Sequence, residues 1–180
     1  PMIKNKTTMQ EEMVHRVFQE AYECGVTDIG LYATGESFLV RKLADYIAFA
    51  KNIGFSYLFI TTNGALATPE RAKPVIDAGL DSIKFSISAG TRNTYKKIQG
   101  RDDFDLVLKN LRWISRYRDE KKYDLKIFVT MVYTNETQSE VEMLESLVRP
   151  FIDEWDPHEL TNQCGNMPEN NSIGDIRSEN

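Results

Sequence analysis

Apolar residues fall along this chain in two alternating textures. Short blocks dense in Ile, Leu, Val, Phe and Tyr lie at Asp28–Ala33, Tyr57–Thr61, Ser82–Ser88 and Leu125–Tyr133, with a weaker fifth at Glu159–Gln163. They run apolar with little alternation, as strands covered on both faces do. Between them, apolar residues recur every three or four positions, the period of an amphipathic helix.

Those helical stretches carry their own punctuation. Thr8-Met-Gln-Glu11 fits a capping box and leads into a stripe of Met13, Val14, Val17, Phe18, Ala21 and Tyr22 that Gly25 ends. Val40, Leu43, Ala44 and Ile47 repeat the pattern before Gly54. Thr68-Pro69 starts a third helix, with proline where a missing N–H costs nothing, and Ala72, Val75 and Ile76 face inward before Gly79. Phe104, Val107, Leu108, Leu111 and Ile114 form the next stripe. Thr137-Gln-Ser-Glu140 reads as a second capping box ahead of Val141, Leu144, Leu147, Val148 and Phe151.

Strict alternation of strand and helix predicts an α/β fold with a parallel sheet and right-handed crossovers. The first three strands recur at roughly 28-residue intervals, the length of one strand, one helix and two short turns. Residues 1–165 are expected to form one domain and 166–180 a polar linker or tail without periodicity. Because the chain opens on a helix, a strand is expected before residue 1. Five strands with two open edges are fewer than a closed barrel needs. Such edges, and an inner face left bare, predict self-association of this chain as a two-fold dimer.

Composition narrows the classes. With 41% hydrophobic and 27% charged residues, the chain reads as an ordinary globular domain, and its net charge of −5 argues against a nucleic-acid surface. No apolar run is long enough to span a membrane. The two cysteines, Cys24 and Cys164, make neither a disulfide framework nor a metal-ligand pair, which predicts a reduced, cytoplasmic protein with no metal ligand in this chain.

In parallel sheets, ligands bind at the carboxyl ends of the strands. Here those ends read Thr34-Gly-Glu-Ser37, Thr61-Thr-Asn-Gly64 and Ser86-Ile-Ser-Ala-Gly90. Three consecutive strands ending in small polar residues, glycine and one acid build a single rim suited to a ligand with an amine, a carboxylate and hydroxyls. Lys84, inside an apolar strand, either points into the sheet's lumen or pairs with an acid. His15 is expected on the solvent side of the first helix and His158 at the start of the fifth strand, both structural. Arg116–Lys122 reads as the solvated end of a helix. Cys24, beside Gly25, reads as a small core residue, and Cys164, after a strand end, as a structural thiol or one that approaches the rim.

The order of these pieces resembles the radical S-adenosylmethionine (radical SAM) superfamily. Ala33-Thr-Gly-Glu-Ser37 stands where that family carries a Gly-Gly-Glu-Pro-like motif. Phe59-Ile-Thr-Thr-Asn-Gly64 and Ala78-Gly-Leu-Asp-Ser-Ile-Lys-Phe-Ser-Ile-Ser88 are similar to its third and fourth strands, and Thr94-Tyr-Lys-Lys-Ile-Gln-Gly100 with Phe104 to the segment that follows. Ser37 departs from the usual proline, and Ala89 from an acid often found after the strand-four serine.

The resemblance implies a partial (β/α) barrel of about five parallel strands with outer helices. It implies that Gly35 and Glu36 face the methionyl ammonium of S-adenosylmethionine and that Thr62 and Asn63 lie near its methionyl or ribose part. Ser86 or Ser88 would bond its carboxylate or ribose hydroxyls. It also implies a [4Fe–4S] cluster, held by a C-x₃-C-x₂-C loop expected upstream of residue 1, since thiolates hold such clusters. The complete enzyme would then cleave S-adenosylmethionine reductively to a 5′-deoxyadenosyl radical that abstracts hydrogen from a substrate, while this chain alone would be inactive. An electron donor such as flavodoxin or ferredoxin follows as a partner. Asn162-Gln-Cys-Gly-Asn166 resembles the exit into a SPASM-like second cluster domain, whose members often modify peptides or proteins. The alternative is a non-catalytic α/β module that binds a nucleotide-like ligand without a cluster.

Overall fold

In the computed structural model, which describes residues 9–32 and 35–160, five parallel strands form one sheet in the order β1-β2-β3-β4-β5. They are β1 (Asp28–Gly30), β2 (Tyr57–Thr62), β3 (Ser82–Ser86), β4 (Lys126–Tyr133) and β5 (Glu154–Glu159). Six helices connect or flank them: α1 (Glu11–Glu23), α2 (Leu43–Ile53), α3 (Pro69–Asp77), α4 (Arg92–Gln99), α5 (Phe104–Lys121) and α6 (Val141–Val148). Neighbours in sequence are neighbours in the sheet; between β3 and β4, however, two helices, α4 and α5, stand where strict alternation predicts one, because α4 is short and polar and carries a single buried residue, Tyr95. The result is the expected partial (β/α) barrel.

The helices cover one face of this sheet. Leu58, Ile60, Ile83, Phe85, Ile127, Val129 and Met131 point into them and are at most 1% exposed. Each such side chain contributes about 1.5–3 kcal/mol by leaving water. Residues of opposite parity, Phe59, Thr61, Lys84, Ser86 and Phe128, stand half-buried on the inner, concave side. Strands that read as continuously apolar therefore alternate in burial, because only one side is packed by helices while aromatic rings and polar tips line the other.

Several boundaries differ from the sequence pattern. The fifth strand lies at Glu154–Glu159, ahead of the predicted Glu159–Gln163, whose residues from 161 onward are outside the described ones. Pairing with β4 overrides the poor strand propensity of Asp156 and Pro157, and an edge strand tolerates a proline. Helix α1 starts at Glu11 with Gln10 as N-cap, not at the Thr8 box, and Thr8 lies outside the described residues. Its buried stripe is narrower than predicted: Val14 and Phe18 pack inward, whereas Met13, Val17 and Tyr22 are exposed. His15 is not free in solvent but stacks on Phe49, ring centroids 4.0 Å apart. Cys24 is not a core residue: it follows Glu23 as the C-cap of α1, off the helix's buried Val14–Phe18 stripe, and is exposed. Within the charged run, Arg118 folds back onto Asp153 at 2.7 Å.

Candidate functional site

The chain leaves β1 and, at Glu36, enters a short 3₁₀ turn (Ser37–Leu39). The Glu36 carboxylate caps that turn by accepting from Phe38 N–H at 3.2 Å. It also reaches across to β2, accepting from Thr62 Oγ1 at 2.7 Å and from Asn63 N–H at 2.8 Å. Beneath it the buried Ser37 hydroxyl lies 3.0 Å from Leu31 O and 2.9 Å from Thr61 O, sharing its single proton between two strand ends. The serine that departs from the family's proline is thus a stitch between β1 and β2.

The turn after β2 is rigid for local reasons. Asn63 Oδ1 accepts from Ala65 N–H at 3.0 Å, an Asx turn, and Thr62 Oγ1 accepts from Gly64 N–H at 3.0 Å. Gly64 sits at φ +81°, and a Cβ there would meet Phe85 and Val107 at 2.8 Å. The Gly64 carbonyl is held by Asn110 Nδ2 at 2.8 Å. Asn110, 2% exposed on α5, was missed by sequence reasoning. The available signal was an amide inside the Val107–Leu108–Leu111–Ile114 stripe, where a buried polar group needs a partner.

After β3 the chain runs through Ser88, Ala89 and Gly90 into α4. Here Glu140 does not close the capping box predicted with Thr137. Instead its carboxylate crosses to the α4 start, accepting from Gly90 N–H (2.8 Å), Thr91 N–H (3.1 Å), Thr91 Oγ1 (3.0 Å) and Thr94 Oγ1 (2.5 Å). Burial pushes its carboxyl pKa up, but the bonds from Thr94, Gly90 and Thr91 outweigh burial and hold it below the ordinary glutamate value. Thr137 turns its hydroxyl to Thr134 N–H at 2.9 Å.

At the carboxyl rim the turns after β1 and β2 and the end of β3 border an open cavity of about 190 Å³, lined by Tyr32, Gly35, Glu36, Thr61, Thr62, Asn63 and Ser86. The structure thereby brings together Gly35, Glu36, Thr62, Asn63 and Ser86. Ser88 stands apart, its Oγ accepting from Gln99 Nε2 at 2.9 Å. Thr62 is 2% exposed and its hydroxyl is spent on Glu36 and Gly64, so it positions the acid instead of presenting a free group. Among the described residues, no lysine, arginine or histidine pairs with Glu36. A carboxylate has about four acceptor positions, and the three donors here leave both negative charge and one position toward the cavity.

Below Ser86 on the inner face, Lys84 Nζ donates to Asp156 Oδ2 at 3.2 Å, so the lysine both faces the lumen and pairs with an acid. His158, near the end of β5, places Nδ1 3.3 Å from Thr130 Oγ1 and 3.8 Å from Asp156. Among the described residues, no group of three or more His, Cys, Asp or Glu is arranged to hold a metal ion. Cys24 precedes β1 and so lies at the opposite, amino-end rim; Cys164 is outside the described residues. No helix among the described residues is long and apolar enough to cross a membrane.

Comparison with known proteins places this geometry. The model of the Radical SAM superfamily matches residues 1–148. A probable GTP 3′,8-cyclase of Saccharolobus solfataricus is 34% identical over 104 residues, covering 58% of this chain and 33% of that protein. The chain thus spans about a third of the length of this curated relative. The crystal structure of Streptococcus suis SuiB bound to precursor peptide SuiA superposes with a TM-score of 0.73 at 14% identity, covering 91% of this chain and 36% of that one. Archaeal TYW1 superposes with a TM-score of 0.57, also at 14% identity, covering 82% and 55%. At such identities the likeness to the two structures is one of fold.

Proposed function

Since this chain belongs to the radical SAM superfamily, we propose that its carboxyl-rim cavity holds S-adenosylmethionine within a radical-forming enzyme. One observation carries the proposal. Glu36 is fixed by three donors, none of them cationic, and lines a cavity together with Gly35, Asn63 and Ser86, among others. An uncompensated, pre-aimed carboxylate suits an ammonium group, and a charge-assisted hydrogen bond exceeds a neutral one.

When bound, the cofactor supplies the radical chemistry that abstracts hydrogen from a substrate. This chain's residues bind and orient it. Glu36 takes the methionyl ammonium through its free acceptor position. Gly35, with no side chain, lets the backbone come close to it. Asn63 and Ser86 hold the carboxylate or the ribose hydroxyls from the neighbouring strand ends, and Tyr32 flanks them. The described residues do not fit a [4Fe–4S] cluster, because their one cysteine, Cys24, is at the far rim; the cluster's ligands are proposed to lie outside them.

Calorimetric titration tests this. In the intact protein, Glu36→Gln is expected to weaken S-adenosylmethionine binding roughly tenfold to a hundredfold, the equivalent of about 1.5–3 kcal/mol. Binding of 5′-methylthioadenosine, which has no methionyl ammonium, should hardly change. Ser86→Ala, which leaves the Glu36 clasp untouched, should cost severalfold for both. Equal affinities of wild type and Glu36→Gln for S-adenosylmethionine would remove the acid from the site.

A further inference from the structure

The inner face of the sheet carries a second cavity that the cofactor reading does not use. It measures about 230 Å³ and is walled by Tyr57, Phe59 and Phe128, with Lys84 among the lining residues and Tyr32 and Thr61 shared with the cofactor cavity. The aromatic wall is continuous: ring centroids are 6.0 Å apart for Tyr57–Phe59 and 5.5 Å for Tyr32–Phe59. Register places Thr61, Lys84 and Phe128 in one row across three strands, so these side chains converge on one side of the sheet.

Charge defines what this cavity takes. Among its lining residues, Lys84 is the one charged side chain. Its ammonium has three donors, and the structure gives it a single, fairly long bond, to Asp156 at 3.2 Å. Asp156 stands on β5, outside the lining residues, where it steadies the lysine without filling the space above the rings. The other ionisable groups of the strands on this face, Asp28, Lys126, Glu154 and His158, are also outside the lining residues.

We propose that this cavity is the substrate subsite and accepts an anionic group joined to a flat or apolar body. The anion binds Lys84, and the body lies against Phe59, Tyr57 and Phe128. The assignment rests on the cofactor reading for its meaning as a substrate position: Lys84 is two residues before Ser86, about 7 Å along the strand, so a molecule seated here abuts the cofactor cavity through Thr61 and Tyr32.

Binding of small probes to the intact protein tests the assignment, with phenylacetate for a carboxylate, phenyl phosphate for a phosphate and phenylacetamide as the uncharged control. Wild type should bind at least one of the anions about tenfold or more tightly than the amide, and which anion wins identifies the headgroup. Lys84→Met should erase that preference while leaving binding of the amide in place. Asp156→Asn, which removes the acid competing for Lys84, should tighten anion binding severalfold, a gain that a misfolded variant would not show. S-adenosylmethionine affinity, measured in the same samples, should stay within about twofold of wild type. No preference for anions, or a preference that survives Lys84→Met, overturns the proposal. Equal losses of probe and S-adenosylmethionine in Lys84→Met also overturn it, by placing the lysine in the cofactor site. Failure of wild type to bind S-adenosylmethionine at all would instead fall on the cofactor reading.

Discussion

The two ends of the sheet solve the same problem with the same residue type and opposite electrostatics. At the amino end, Asp81 precedes β3 and accepts from Leu58 N–H and Lys51 Nζ, both at 2.6 Å. Asp153 precedes β5 and accepts from Ile127 N–H and Arg118 Nη1, both at 2.7 Å. Each acid closes the open start of a neighbouring strand, and a helix side chain neutralises it. At the carboxyl end, Glu36 and Glu140 also tie adjacent connections together, but through backbone N–H groups and hydroxyls. The amino rim is finished, with its charge balanced in place. The carboxyl rim is equally well stitched, yet among the described residues Glu36 has no cationic partner, which leaves it suited to a cation.

Three substitutions put this contrast to the test. The largest effect is expected from Gly64→Ala at the carboxyl rim. An L-residue at φ +81° is strained, and its Cβ would strike Phe85 and Val107. Together these should cost about 2–4 kcal/mol of folding stability, read as a lower urea midpoint. Cofactor affinity should fall with it, because Asn63 is carried on the same turn.

Asp81→Ala comes next and addresses the amino rim. It removes the side-chain acceptor of Leu58 N–H and the ion-pair partner of Lys51, which keeps only Ser56 O, an expected loss of about 1.5–3 kcal/mol in chemical denaturation. Affinity of the folded protein for S-adenosylmethionine should be unchanged. A matching loss of affinity would show that the rims are not separable into one for stability and one for binding.

The smallest effect is expected from Glu140→Gln, at about 1 kcal/mol near neutral pH. It has a signature in pH. The Glu140 carboxyl titrates lower folded than unfolded, so its ionised form stabilises the fold fully above the ordinary glutamate value. That contribution drains away as pH falls through the folded value. Urea midpoints at about pH 7 and about pH 3 should therefore diverge between wild type and variant at the higher pH and converge at the lower. A constant difference across that range would mean that the carboxylate's charge is not what holds the α4 start.

Local patterns proved legible where the physics is local. Thr68-Pro69 starts α3, Gly54 and Gly79 stop helices, and the Leu58–Ile60 and Ile83–Phe85 blocks are strands, because caps, turns and burial periods act over a few residues. The strand-end residues Gly35, Glu36, Thr62, Asn63 and Ser86 meet in one cavity, as the rule that parallel sheets bind at their carboxyl ends leads one to expect. Where a residue's partner lies far along the chain, the pattern misled. Thr137-Gln-Ser-Glu140 has the form of a capping box, yet Glu140 satisfies donors some fifty residues earlier. His15 looked solvent-facing until Phe49 arrived from the next helix.

Sequence alone was enough for four of the five strands, five of the six α-helices, the parallel sheet and most of the polar residues at its carboxyl rim. Those follow from periodicity, from caps and from which residues end each strand. Folding in three dimensions alone settles which donors each acid receives, that Asp81 and Asp153 are each paired with a cation while Glu36, among the described residues, is not, and that Lys84 stands over an aromatic wall with Asp156 behind it. Hydrogen bonds and ion pairs act over about 3 Å, and which side chains come within that distance is settled by how strands and helices stack, not by their separation along the chain.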